Sequence, residues 1–131
     1  MIFYTGKRHV VFDEHNHIED GKTLFTYDEI ISKVDKDRLL DRDEWQYILG
    51  HYKIKFHDGG LWIEDEIFLP AAGFRHCGGS VDCVGSYGIY WSSTSYGSES
   101  AWRLGFDSGG VNVNWYNRCY GNSVRLVTTV N

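Results

Sequence analysis

In AWRLGFD (101–107) every second residue is large and apolar. Trp102, Leu104 and Phe106 share one face of an extended chain, and Arg103, Gly105 and Asp107 share the other. VNVN (111–114) repeats the pattern, with Val111 and Val113 opposite Asn112 and Asn114, and Val124 and Leu126 alternate with Ser123 and Arg125. A period of two over such short segments predicts antiparallel strands with one packed face and one wet face. GIYWSST, AWRLGF, VNVNW and SVRLVTT are therefore read as strands separated by Ser/Gly/Asn turns.

The first half is written differently. Residues 1–70 carry nine of the 13 Lys+Arg and fifteen of the 18 Asp+Glu, and no lysine follows Lys55. MIFYT and HVVF read as short strands. Thr26 and Glu29 stand at capping-box spacing before YDEIISKV, and Asp41 and Glu44 repeat that signal before a second helix. Trp45, Ile48, Leu49 and Tyr52 then form one apolar stripe. KIKFH, the turn DGG and LWIEDEIFLP read as a strand, a loop and a longer strand ended by Pro70. The expectation is one α+β domain over 1–131: two short helices in the first half, and a short-stranded antiparallel sheet with long loops in the second.

Size and charge narrow the function. A chain of 131 residues with 42% hydrophobic and 24% charged residues is long enough to bury a core without a staple. A net charge of −5 offers no basic field for a phosphate backbone, so nucleic acid is not an expected partner. No apolar run reaches the length of a membrane span, so membrane insertion is not expected either. The opening residues are charged too early for a signal peptide. A cytosolic protein, a virion component and a piece of a secreted protein stay open as settings. Cys77 and Cys83 could close a small loop, but nothing else marks an oxidising compartment, and the reading adopted is three free thiols at Cys77, Cys83 and Cys119.

The residues left on the wet face and its turns are mainly Ser, Tyr, Gly and Asn, with Arg103, Asp107, Cys119 and Trp115 among them. A solubilising face would be written with Lys and Glu. Tyr, Ser, Gly and Asn are instead the residues of combining sites, where tyrosine supplies contact area at little entropic cost and the small residues supply adaptable hydrogen bonds. The candidate ligand-binding residues are Tyr96, Ser98, Arg103, Gly105, Asp107, Asn112, Asn114, Trp115, Tyr116, Cys119 and Tyr120. Tyr90, Trp91, Trp102, Leu104 and Phe106 are assigned to the packed side. Arg118 and Arg125 are read as structural, hydrogen-bonding backbone carbonyls.

LPAAGFR (69–75), GSYGIYWSST (85–94), AWRLGF (101–106) and GNSVRLV (121–127), in that order, resemble the Fibrobacter succinogenes major paralogous domain, as does RLLDRDEWQYIL (38–49). The resemblance covers roughly 38–128, leaving 1–37 as less certain N-terminal strands and a first helix. That family is grouped with the C-type-lectin-fold proteins diversified by retroelements. The resemblance implies a C-type-lectin-like scaffold displaying a variable surface. It also implies adenine-directed variation, by which asparagine codons become Ser, Tyr, Gly, Asp, Arg or Cys. Glu99 and Trp115 fall outside that set and are read as fixed.

Chemistry is thin elsewhere. His15 and His17 lack a third ligand at metal spacing, and the Glu64-Asp65-Glu66 run reads as a solvated edge rather than a calcium site. No metal or other cofactor is expected. The formylglycine-generating enzyme, a relative within the lectin fold, uses a cysteine pair, but Cys77 and Cys83 lie in the wrong part of the chain. The expected function is therefore a non-enzymatic recognition domain of receptor or adhesin type, displayed on a cell or virion and binding a protein or glycan. A formylglycine-type enzyme domain and a self-associating surface or virion subunit are the alternatives.

Overall fold

The computed structural model describes residues 1–131. Strands β1 (Phe3–Tyr4) and β2 (His9–Phe12) are followed by helix α1 (Tyr27–Lys33), a 3₁₀ turn at Lys36–Arg38 and helix α2 (Arg42–His51). Next come β3 (Ile54–His57), β4 (Gly60–Ile63), β5 (Ile67–Pro70), β6 (Phe74–Arg75) and β7 (Val81–Asp82). The chain finishes with β8 (Gly88–Tyr96), β9 (Ser100–Asp107), β10 (Gly110–Asn117) and β11 (Val127–Val130).

Both helices start at the reciprocal caps written in the sequence. The Thr26 hydroxyl accepts from the Glu29 N–H and the Glu29 carboxylate from the Thr26 N–H; Asp41 and Glu44 do the same for α2. The α2 cap also belongs to a buried network. Glu44, almost wholly enclosed, takes two hydrogen bonds from the Arg8 guanidinium (2.9 and 3.2 Å) and one from the Thr5 hydroxyl. Trp45 and Ile48 are buried on the predicted stripe, and Leu49 and Tyr52 pack beside them.

The α+β, C-type-lectin-like arrangement expected from the sequence is not what forms. The protein is mostly β, 44% strand against 15% helix. α2 is its one helix longer than seven residues. Its strands build several small antiparallel sheets, in the orders β1-β2-β11, β3-β4-β5, β8-β9-β10 and β6-β7. Alternation shows which residues share a face, but sheet membership is set by long-range pairing. The first half consequently contributes sheets of its own, whereas the sequence reading put the antiparallel sheet in the second half. LWIEDEIFLP is two strands, not one. Glu64 and Asp65 both adopt positive φ (55° and 56°) and turn the chain, so that Ile63 pairs with Ile67 and Leu61 with Leu69. SVRLVTT is also only half a strand: β11 begins at Val127, and it lies against β2.

Two apolar clusters sandwich the β8–β9 ladder. One joins Phe3, Phe12, Trp45, Ile48, Leu61, Ile63, Leu69, Tyr90, Leu104 and Phe106. The other joins Phe25, Tyr27, Ile30, Leu39, Trp91, Ala101, Val124 and Leu126. The packing is tight enough to require glycine at Gly88, where an added Cβ would lie 2.2 Å from the Phe106 ring. Tyr90 and Trp91 are buried as the sequence indicates. The Tyr90 hydroxyl donates to the Pro70 carbonyl (2.7 Å), and burial pushes that phenol well above its ordinary range.

Candidate functional site

Register divides the side chains of β9 and β10 cleanly. Arg103 pairs with Asn114, Gly105 with Asn112 and Ala101 with Tyr116, so these share one side of the sheet. Trp102 with Trp115, Leu104 with Val113 and Phe106 with Val111 share the other. The predicted strand parity is thus present in the structure. What covers each side differs from the expectation.

On the side of Leu104 and Phe106, the core stops short of the sheet's end. Beyond it, Tyr96, Trp102 and Trp115 form a closed triangle of rings, with centroids 4.8, 5.5 and 5.7 Å apart. Tyr96 is 47% and Trp115 46% exposed. The Arg42 guanidinium stacks on Trp102 at 4.4 Å. Arg42 is placed there because its backbone N–H donates to the Thr94 hydroxyl (3.0 Å), docking the start of α2 on β8. Ser98 is exposed nearby in the β8–β9 turn.

The opposite side is roofed by the segment around β6 and β7. Phe74 lies edge-on to Tyr87, Tyr116 and Tyr120, and Tyr116 and Tyr120 are 4.9 Å apart. A disulfide between Cys77 and Cys119 ties this roof to the end of β10, while Cys83 stays free. That corrects both cysteine readings: neither a Cys77–Cys83 loop nor three free thiols is present. The pair is fixed by tertiary placement, the two Cα atoms standing 4.9 Å apart across 42 residues.

Under the roof, Arg103 is not the exposed recognition residue expected from parity. It is only 4% exposed, and Gly105 is buried with it. The guanidinium lies on the Tyr116 ring at 4.6 Å and donates through Nη1 to the Asn112 side-chain oxygen (2.8 Å). Desolvation lowers the Arg103 pKa, and burial raises that of Tyr116, with Tyr87 adding to the rise. Asp107 and Asn114 are half-buried and Asn112 is exposed. Tyr116 and Tyr120 are half-buried within the aromatic roof, and Cys119 is spent on the disulfide. The expected surface therefore resolves into two: Tyr96, Ser98 and Trp115 toward one side, and the Arg103–Tyr116 group on the other.

Trp102 was assigned to the scaffold, yet it is half-buried and completes the exposed triangle. Arg42 and Tyr87 went unnoticed because only folding brings them to the sheet. The other arginines behave as read. Arg125 donates to the carbonyls of Asp13 and Phe68 and to Asn16, and Arg118 to the carbonyls of Ser100 and Gly97 and to Asp28. No group of three or more His, Cys, Asp or Glu side chains converges as a metal site. No helix is long and apolar enough to cross a membrane.

A family described as a domain of unknown function (DUF8237) matches residues 55–127, more than half of the chain. The chain belongs to this family. No curated protein and no solved structure matches the chain significantly. The DUF8237 segment runs from β3 to the first residue of β11. It contains the disulfide, the roof and the Tyr96–Trp102–Trp115 triangle, whereas Arg42 reaches that triangle from outside the DUF8237 segment.

Proposed function

We propose that the chain is a non-enzymatic recognition domain that binds a protein or glycan through the Tyr96–Trp102–Trp115 triangle and its Arg42 flank. The observation that carries the reading is the half-exposure of two large rings held rigid against a third. Covering the open part of either ring would contribute about 2–3 kcal/mol, the scale of an interface hot spot. The rings lose little entropy on binding, because they already pack on each other. Beside Tyr96 the β8–β9 turn presents Gly97 and Ser98, both exposed and adaptable in hydrogen bonding. The resemblance to retroelement-diversified domains adds the expectation that β10 differs among copies of the domain.

The test is binding of wild type and Trp115→Ala to an array of immobilised glycans and to intact cells displaying surface protein. A ligand of the triangle should bind Trp115→Ala about thirtyfold more weakly. The melting temperature should change little, since Trp115 lies outside both core clusters. Equal binding by both proteins refutes the reading. Concentration-dependent assembly that hides Trp115 would replace it with self-association.

A further inference from the structure

Most sheet edges in this protein are guarded. On β1 the Tyr4 N–H donates to the Tyr52 hydroxyl, which donates in turn to the Tyr4 carbonyl (both 2.8 Å). On β5 the Phe68 and Pro70 carbonyls accept from Arg125 and from the Tyr90 hydroxyl. On β11 the Val127 carbonyl accepts from Arg38. β3 has only four residues and carries Lys55. Caps, charges, prolines and shortness are the means by which a sheet edge refuses another strand.

β10 has none of these along most of its length. It ends the order β8-β9-β10, and its eight residues, GVNVNWYN, include no charge and no proline. They pair with β9 in unbroken register, and the Arg118 N–H continues that ladder onto the Glu99 carbonyl (2.8 Å). Even-numbered residues therefore bond to β9, and odd-numbered ones turn their backbone groups outward. The Trp115 N–H is taken by the Asn114 side-chain oxygen (2.9 Å) and the Asn117 carbonyl by the Tyr120 N–H. The N–H and C=O of Val111 and Val113 have no protein partner.

Two shallow clefts border this stretch, and Gly110 and Val111 belong to both. One, of about 240 Å³, is walled by Ile54, Phe56 and Leu61 on the core side; the other, of about 440 Å³, reaches Gly105 and Asn112 of the opposite side and includes Asp107.

We propose that the free edge of β10, from Gly110 to Trp115, binds an extended segment of a partner protein as an added strand. The open donors and acceptors of Val111 and Val113 match another extended backbone, and its alternate side chains point to opposite sides of the sheet, where the clefts lie. An apolar side chain suits the first cleft, and a polar or basic one the second, beside Asp107. A second copy's β10 has the backbone but not the side chains, because its Val111, Val113 and Tyr116 already pack within their own protomer. The inference rests on the recognition reading and narrows its ligand to a protein segment lying beside the Trp115 ring.

The test begins with a phage-displayed library of random linear peptides panned on the immobilised full chain. The enriched peptide is synthesised in its parent form and in two N-methylated forms, each methylated at alternate residues along one of its edges. One methylated form should bind about tenfold more weakly than the parent or worse, and the other like the parent. Bound parent peptide should slow hydrogen exchange of the Val111 and Val113 amides about tenfold or more. Val113→Pro, which deletes a donor without a partner in the free protein, should weaken binding likewise; should it fail to fold, the methylated pair carries the test on unaltered protein. No enriched peptide, equal binding of both methylated forms, or unchanged exchange at Val113 overturns the proposal. Slowed exchange at rising protein concentration without peptide also overturns it and gives the edge to a second copy. Equal binding of the methylated forms with loss in Trp115→Ala removes the edge and leaves the triangle standing; the converse result removes the triangle.

Discussion

Removing the Cys77–Cys119 bond by a double Cys→Ser substitution has a calculable effect. The bond closes a loop across 42 residues, and the entropy it withholds from the unfolded chain corresponds to about 4 kcal/mol at room temperature. At roughly 4 °C per kcal/mol for a domain of this size, the melting midpoint should fall by about 15 °C. Thiol titration in denaturant should count one free sulfhydryl, Cys83, in oxidised protein and three after reduction. The local effect is as informative as the global one. Cys77 adjoins His76 and Cys119 adjoins Tyr120, whose rings stand 6.3 Å apart, so the near-ultraviolet circular dichroism of the aromatic roof should weaken well below the melting midpoint. Three reactive sulfhydryls in oxidised protein would show that the bond does not form. A midpoint lowered by less than about 4 °C would refute the loop-entropy reasoning.

Two further outcomes follow from the helix caps. Glu44→Ala deprives Arg8 of its buried partner and α2 of its reciprocal cap, and should cost about 3–5 kcal/mol in urea unfolding; Glu44→Gln, which keeps the cap, should cost less. Loss of under about 1 kcal/mol in the alanine variant would contradict the network. Glu29 titrates below its ordinary value, chiefly because the Lys22 ammonium hydrogen-bonds it. A depressed folded pKa gives stability that is present above the unfolded value and lost as pH falls through the folded one. Acid unfolding of Lys22→Gln should therefore start at higher pH than in wild type, by an amount worth under about 1 kcal/mol for so exposed a pair. Coincident acid transitions would remove the pair from the account.

Local signals were legible and long-range ones were not. The two capping boxes need only residues three apart, and both form as written. Strand parity from 101 to 107 is likewise a local property. Burial is not: Arg103 lies on the side assigned to it, but Phe74, Tyr87 and Tyr120 arrive from elsewhere and roof that side over. The turn at Glu64–Asp65 carries no glycine or Asn-Gly signal, so two strands read as one. The alternation of VRL (124–126) makes no ladder before β11 begins at Val127; there the Arg125 donors fasten the chain to Asp13, Asn16 and Phe68. The Cys77–Cys119 pairing and the separation of the strands into several sheets depend on contacts dozens of residues apart. No spacing rule reaches them.

Strand β10 pairs along its whole length with β9, yet none of its eight residues is fully buried, whereas most of β9 is. Mutational drift would therefore be tolerated very unequally by two neighbours. A replacement on β9 tends to reach one of the two interiors, while one on β10 chiefly alters what the outside world meets. Such an asymmetry makes the domain evolvable: selection could rewrite much of the surface it presents from one strand and leave most of the interior in place.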